Sequence, residues 1–168
     1  MKKKYSLFVL ILLISFFLNG CKKESFLSEF VVETKINNSL DSSLLYEEQF
    51  RPQFHFSPKE KWMNDPNGLV WHKGEYHLFF QHNPFGTQWG HMSWGHAVSK
   101  DLIQWEELPV AIAESDDGAI FSGSAVSIGD EIVAFYTRHT ETNQSQCIAR
   151  STDNGRTFVK YDNNPVLD

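Results

Sequence analysis

The sequence predicts an all-β protein made of two consecutive β-propeller blades, and three observations carry that reading. From Gly68 onward the apolar residues fall in short runs broken by turns, with no helical periodicity. Two pairs of runs flank two-residue turns, Lys73-Gly74 and Gly129-Asp130, so each pair reads as a hairpin. The hairpins are copies of one another: Gly68 and Gly123 lie 55 positions apart, as do Gly74 and Gly129. The following runs match too, since Ser99 and Asp101 recur as Ser151 and Asp153 at an offset of 52. A self-similar unit of four short strands about 50 residues long is the signature of a propeller blade.

The chain begins with a segment outside the expected fold. In 1–21, Lys2, Lys3 and Lys4 precede an apolar run from Leu7 to Leu18, the pattern of an export signal. The run is shorter than the roughly 20 residues a membrane span needs. Leu18-Asn19-Gly20-Cys21 is similar to a bacterial lipobox, which implies lipidation of Cys21 and an exported, membrane-anchored lipoprotein at the cell surface or in the periplasm. Residues 22–50 are polar and charged and are expected to form a flexible tether. Residues 51–168 remain for the folded domain.

Composition narrows the function classes. The formal net charge of -6, without a basic stripe, argues against nucleic acid as a partner. Cys21 and Cys147 are the two cysteines, so with Cys21 lipidated no disulfide is expected. His91 and His96 are five positions apart and lack a helical His-Glu-x-x-His arrangement, and no glycine-rich phosphate loop is present. Neither a metal nor another cofactor is expected.

The densest chemistry lies at Trp62-Met63-Asn64-Asp65-Pro66-Asn67-Gly68. Asp65 stands between two amides and beside a tryptophan, and Pro66 and Gly68 are expected to bend the backbone and aim the carboxylate. Such a stretch fits an Asx-turn before a strand, or a carboxylate held for nucleophilic attack. Two further acidic pairs, Glu106-Glu107 after Trp105 and Asp116-Asp117 before Gly118, are expected on the surface, the second rimming a pocket. Trp71, Trp94 and Trp105 are expected in the blade core.

Four ordered motifs resemble those of glycoside hydrolase family 32, the invertases, levanases and inulinases: Trp62–Gly68, Tyr76–Pro84, Trp89–His96 and Phe121–Ser124. The resemblance spans Phe54 to Asp168 and implies hydrolysis of fructosyl bonds in fructan or sucrose, on a five-bladed propeller. It implies Asp65 as nucleophile, Asn64 and Gln81 as hydrogen-bonding partners of fructose, Trp62, Trp89 and Phe121 as pocket walls, and Ser122 as a hydroxyl donor. The family's arginine-aspartate motif and acid/base glutamate lie beyond the last residue. The chain is therefore expected to be an N-terminal fragment, incomplete as a ring and inactive alone. Two other readings stand beside this one: a surface lipoprotein that binds glycans without catalysis, and a five-bladed propeller acting on arabinose-type sugars.

Overall fold

The computed structural model of the protein describes residues 46–52 and 54–168. The export signal, Cys21, Gln53 and most of the expected tether lie outside the described residues. Eight strands form two four-stranded antiparallel sheets. The first contains β1 (Trp62–His72), β2 (Glu75–Asn83), β3 (Ser93–Ser99) and β4 (Glu106–Ile112), in that spatial order. The second repeats the order with β5 (Ala119–Ile128), β6 (Glu131–His139), β7 (Gln144–Ser151) and β8 (Val159–Lys160). Sequential neighbours pair throughout, which is the meander of a propeller blade.

The sequence repeat has a direct structural basis. His72 faces Glu75 across the Lys73-Gly74 turn, and Ile128 faces Glu131 across Gly129-Asp130, so both hairpins close through two residues. Lys73 and Gly74 both have positive φ, as a primed turn demands. After the third strand of each sheet the same carboxylate organises the next turn. Asp101 accepts the backbone N–H groups of Ile103 and Gln104 and the Ser99 hydroxyl, while Asp153 accepts those of Arg156 and Thr157 and the Ser151 hydroxyl. These donors pull the Asp153 carboxyl down to about 2, the Thr157 hydroxyl contributing most.

Strands β2 and β3 are buried almost throughout because both faces of the first sheet are covered. Alternation decides which residue meets which cover. Phe79 packs edge-on against Phe158, just before β8, at 5.3 Å, whereas its neighbour Phe80 turns to Phe56 at 4.9 Å. The shared core joins Phe79, Trp94 and Ile112 to Ile120, Ala134, Tyr136, Cys147 and Ala149. Cys147 is a buried free thiol. Trp94 occupies the core as expected, and Trp105 is half-buried edge-on to Phe56. Trp71 departs from expectation: it is 51 % exposed and lies on Tyr76, because its neighbours Val70 and His72 take the inward face of β1.

The N-terminal boundary of the described unit is Tyr46. Tyr46 donates to Glu107 and lies beneath the Arg51 guanidinium, and the Lys59 N–H also donates to Glu107. Glu107 thus works as a surface clamp on β4, the outer strand of the first sheet.

Histidines line the seam between the sheets. His77 Nδ1 and His96 Nε2 are 3.1 Å apart, His96 stacks on Phe79, and Gly155 in the turn between β7 and β8 abuts the His77 ring. His72 is 2.7 Å from the Ser127 hydroxyl, its counterpart 55 positions on. Burial pushes His77 from 6.5 to about 4, with Glu75 opposing and Arg156 and His72 adding to the fall. Burial, then the neighbouring His77, pushes His96 to about 3. Both rings are neutral in the folded chain. Above pH 6.5 the unfolded chain is neutral there too and nothing is lost. As pH falls below 6.5 the unfolded chain takes up protons that the folded one refuses, so stability declines until pH passes the folded values. The slope reaches at most about 1.4 kcal/mol per pH unit per histidine. The urea midpoint, followed by tryptophan fluorescence, is expected to drop between pH 7 and pH 5, and by less in a His96→Gln variant.

Candidate active site

The site is built from two irregularities in neighbouring strands. β1 pairs with β2 through Met63↔His82 and Pro66↔Phe80, so Asn64 and Asp65 together face the single residue Gln81. This β-bulge lies where the sequence suggested a turn. The strand runs straight through the motif, and Pro66 is tolerated because β1 lies at the sheet edge, where a missing N–H costs no ladder bond. β5 carries a second bulge, with Phe121↔Thr137 followed by Gly123↔Tyr136 and Ser122 left over between them. Bulges re-aim side chains, and these two bring theirs together: the Ser122 hydroxyl donates to Asp65 Oδ2 at 3.2 Å.

Asn67 locks the two bulges to each other. It is 5 % exposed, its amide donates to the Asp65 carbonyl, and its Oδ1 accepts the Gly123 N–H at 3.2 Å. Both glycines at this crossing are obligatory. A Cβ on Gly123 would lie 1.9 Å from the Phe135 carbonyl oxygen, and Gly68, at φ +49°, sits against Ala125.

The remaining expected residues gather around this centre. The Trp62 indole donates to Asn64 Oδ1 at 3.3 Å, and Trp89 meets Phe121 edge-on at 6.3 Å. The Phe121 carbonyl accepts the indole N–H of core Trp94, which fixes the strand that presents Ser122. Gln81 is 3 % exposed, and its amide nitrogen has no hydrogen-bond partner among the described residues. A buried amide donor left unpaired costs about 1–3 kcal/mol, the kind of cost retained where a ligand supplies the acceptor.

Two contributors were not singled out from the sequence. Asn67 read only as a turn amide, because its partner Gly123 is 56 positions away. His139 stacks flat on Phe121 at 4.2 Å; the register around Gly129-Asp130 puts it diagonally across from Phe121, a signal the hairpin already contained. The histidines considered for a metal diverge. His91 pairs with Glu114 at 2.6 Å on the surface, whereas His96 is in the seam, and no metal-type cluster of His, Cys, Asp and Glu occurs among the described residues. Asp117 borders a separate cavity of about 260 Å³ with Tyr136, Arg138 and Lys160 and not the space at Asp65.

Two meandering sheets whose edge strands β1 and β5 meet at a shared carboxylate define a β-propeller with a candidate catalytic site. The profile of the Glycosyl hydrolases family 32 N-terminal domain matches residues 55–168, and the chain belongs to that family. It is 54 % identical over 141 residues to the levanase of Bacillus subtilis (strain 168), covering 77 % of this chain and 21 % of that enzyme. It is 45 % identical over 152 residues to the extracellular exo-inulinase of Aspergillus awamori, covering 73 % and 28 %. The crystal structure of that exo-inulinase superposes with a TM-score of 0.67, covering 73 % of this chain and 29 % of that one. A Bombyx mori family 32 β-fructofuranosidase in complex with sucrose superposes with a TM-score of 0.68 at 38 % identity, covering 87 % and 31 %. The chain thus spans between a fifth and a third of the length of these relatives.

Gln81→Leu, which removes the unpaired amide at similar volume, is expected to leave the melting temperature unchanged or raise it by a few degrees. Scanning calorimetry checks this.

Proposed function

We propose that the chain is the N-terminal part of a retaining fructosidase that hydrolyses fructosyl bonds in fructan or sucrose, with Asp65 as the nucleophile. The observation that carries the reading is the placement of Asp65 on a bulge, held by the Ser122 hydroxyl of the next blade beside the buried amide of Gln81. The B. subtilis relative is named a levanase and the A. awamori one an exo-inulinase, which favours levan or inulin over sucrose. No observation favours non-catalytic glycan binding or an arabinose-type substrate.

The chemistry follows from the groups present. Retaining hydrolysis needs a carboxylate nucleophile and a carboxylic acid about 5–5.5 Å away. An Asp65 oxygen attacks the anomeric carbon of the fructosyl unit as its bond to the leaving oxygen breaks, and the acid protonates that oxygen. Water, deprotonated by the same acid/base, then attacks the anomeric carbon, releases fructose and restores the carboxylate. No acid/base is assigned among the residues of this chain. Asn64 and Gln81 hydrogen-bond fructose hydroxyls, while Trp62, Trp89 and Phe121 pack against its C–H faces. Ser122 holds Asp65 Oδ2 and leaves the other oxygen for attack.

Export with lipid on Cys21 completes the proposal. It is supported by the three lysines, the apolar run and the Leu18–Cys21 motif, and the A. awamori relative is named extracellular. A polysaccharide too large to enter the cell is met by an enzyme held outside.

In the full-length enzyme, Asp65→Asn is expected to lower kcat by at least about 10⁴-fold while fructan binding persists, measured by fructose release and calorimetry; unchanged turnover would refute the assignment. Cys21→Ser is expected to move the protein from the membrane fraction to the soluble exported fraction and to abolish labelling by radioactive palmitate, read by fractionation and autoradiography.

A further inference from the structure

The connection between β4 and β5 folds over the second sheet and encloses with it the cavity of about 260 Å³ that lies apart from Asp65. Its lining includes Ser115 from the connection, Tyr136 and Arg138 from β6, Cys147 from β7, Lys160 from β8 and Asn164 beyond it. At about 30 Å³ for each water of the liquid, the space admits several small molecules. Two cations enter it without a counter-charge: among the described residues neither Arg138 nor Lys160 forms an ion pair. Lys160 Nζ donates to the Ser115 hydroxyl at 2.9 Å. Arg138 Nε is buried and has no hydrogen-bond partner among the described residues. The Ser145 hydroxyl, directly opposite Arg138 on β7 and 2 % exposed, has none either. A charged donor shut away from water without an acceptor is costly.

The walls are held in place. The Gly118 N–H donates to the Ser115 carbonyl at 2.9 Å and closes a tight turn. Gly118 has φ 136°, and a Cβ there would lie 2.5 Å from the His139 carbonyl oxygen and 3.3 Å from Arg138 Cγ. The connection therefore rests flat on β6 and fixes the stem of Arg138. On the opposite flank the Asn164 amide donates to the Ile148 carbonyl at 2.9 Å. Burial pushes the Tyr136 hydroxyl up, the Cys147 thiol adding to the rise, so it keeps its proton at neutral pH. Burial also lowers the Lys160 ammonium, with Asp117 and Cys147 opposing. The two carboxylates on the lining, Asp117 and Asp162, are exposed, so water screens them while the cations are half-buried.

We propose that this cavity binds an oxyanion of the size of phosphate, held by the Arg138 guanidinium and the Lys160 ammonium. The planar guanidinium meets two of its oxygens in parallel, and the ammonium meets another as a point charge. Bound there, the anion ties the β4–β5 connection to β6 and β8, and that connection leads directly into Phe121 and Ser122. The site stands independently of the reaction at Asp65.

The test titrates sodium phosphate into the full-length protein by calorimetry, with ionic strength matched by sodium chloride. Saturable binding is expected, weakened roughly 10- to 100-fold by Arg138→Gln and less by Arg138→Lys, which keeps the charge and loses the fork. Glutamine retains the Cγ that lies against Gly118 and removes the unmet charged donor. Without phosphate the Arg138→Gln variant is therefore expected to melt at the unaltered temperature or above it, where an arginine serving structure alone would give a fall. Lys160→Gln, on a different strand, is expected to weaken phosphate binding by at least about fivefold while leaving the fold intact. No saturable heat from the unaltered protein, or equal phosphate affinity in the unaltered protein and in both glutamine variants, overturns the site.

Discussion

The constraint on which the site depends is the meeting of β1 and β5, the edge strands of two separate sheets. Asp65 belongs to one and Ser122 to the other, and their hydrogen bond exists because Asn67 ties the two backbones together at a crossing where only glycine fits. A bulge in each strand then does what regular pleating cannot. In an unbroken strand successive side chains alternate between faces, and one extra residue lets Asp65 and Ser122 address the same space. Pro66 and Gly68 therefore do not turn the chain; they keep an edge strand irregular where irregularity is useful.

Behind that crossing the sheets are held by a seam that mixes aromatic packing with neutral histidine. Phe79 and Phe158 supply apolar contact, and His77 and His96 stack within it. Burying imidazole costs little while it is uncharged and much once it is protonated. The polar groups most closely coupled to the pair, Glu75 and Arg156, form an ion pair at 2.7 Å across the same seam.

Much of the architecture was legible in the sequence for local physical reasons. A two-residue turn such as Lys73-Gly74 fixes hairpin register by itself, and a serine two positions before an aspartate organises the next turn through short-range hydrogen bonds. These signals recur at offsets of 55 and 52, so the two blades could be read before any packing was known. Trp71 was misread because alternation alone does not say which face is covered; that depends on the neighbouring sheet.

The amino-acid order by itself determined the strands, the hairpins and the kinds of side chain available for sugar chemistry, because each depends on residues within about ten positions of one another, and the repeat followed because those local signals recur at offsets of 55 and 52. Tertiary structure alone decided which of those side chains meet. The link from Asp65 to Ser122 spans 57 positions and that from Asn67 to Gly123 spans 56, and both depend on two bulges whose effect appears only once the blades pack. A bulge displaces a strand by one residue, and one residue reverses the face a side chain points to; no pattern along the chain records that step.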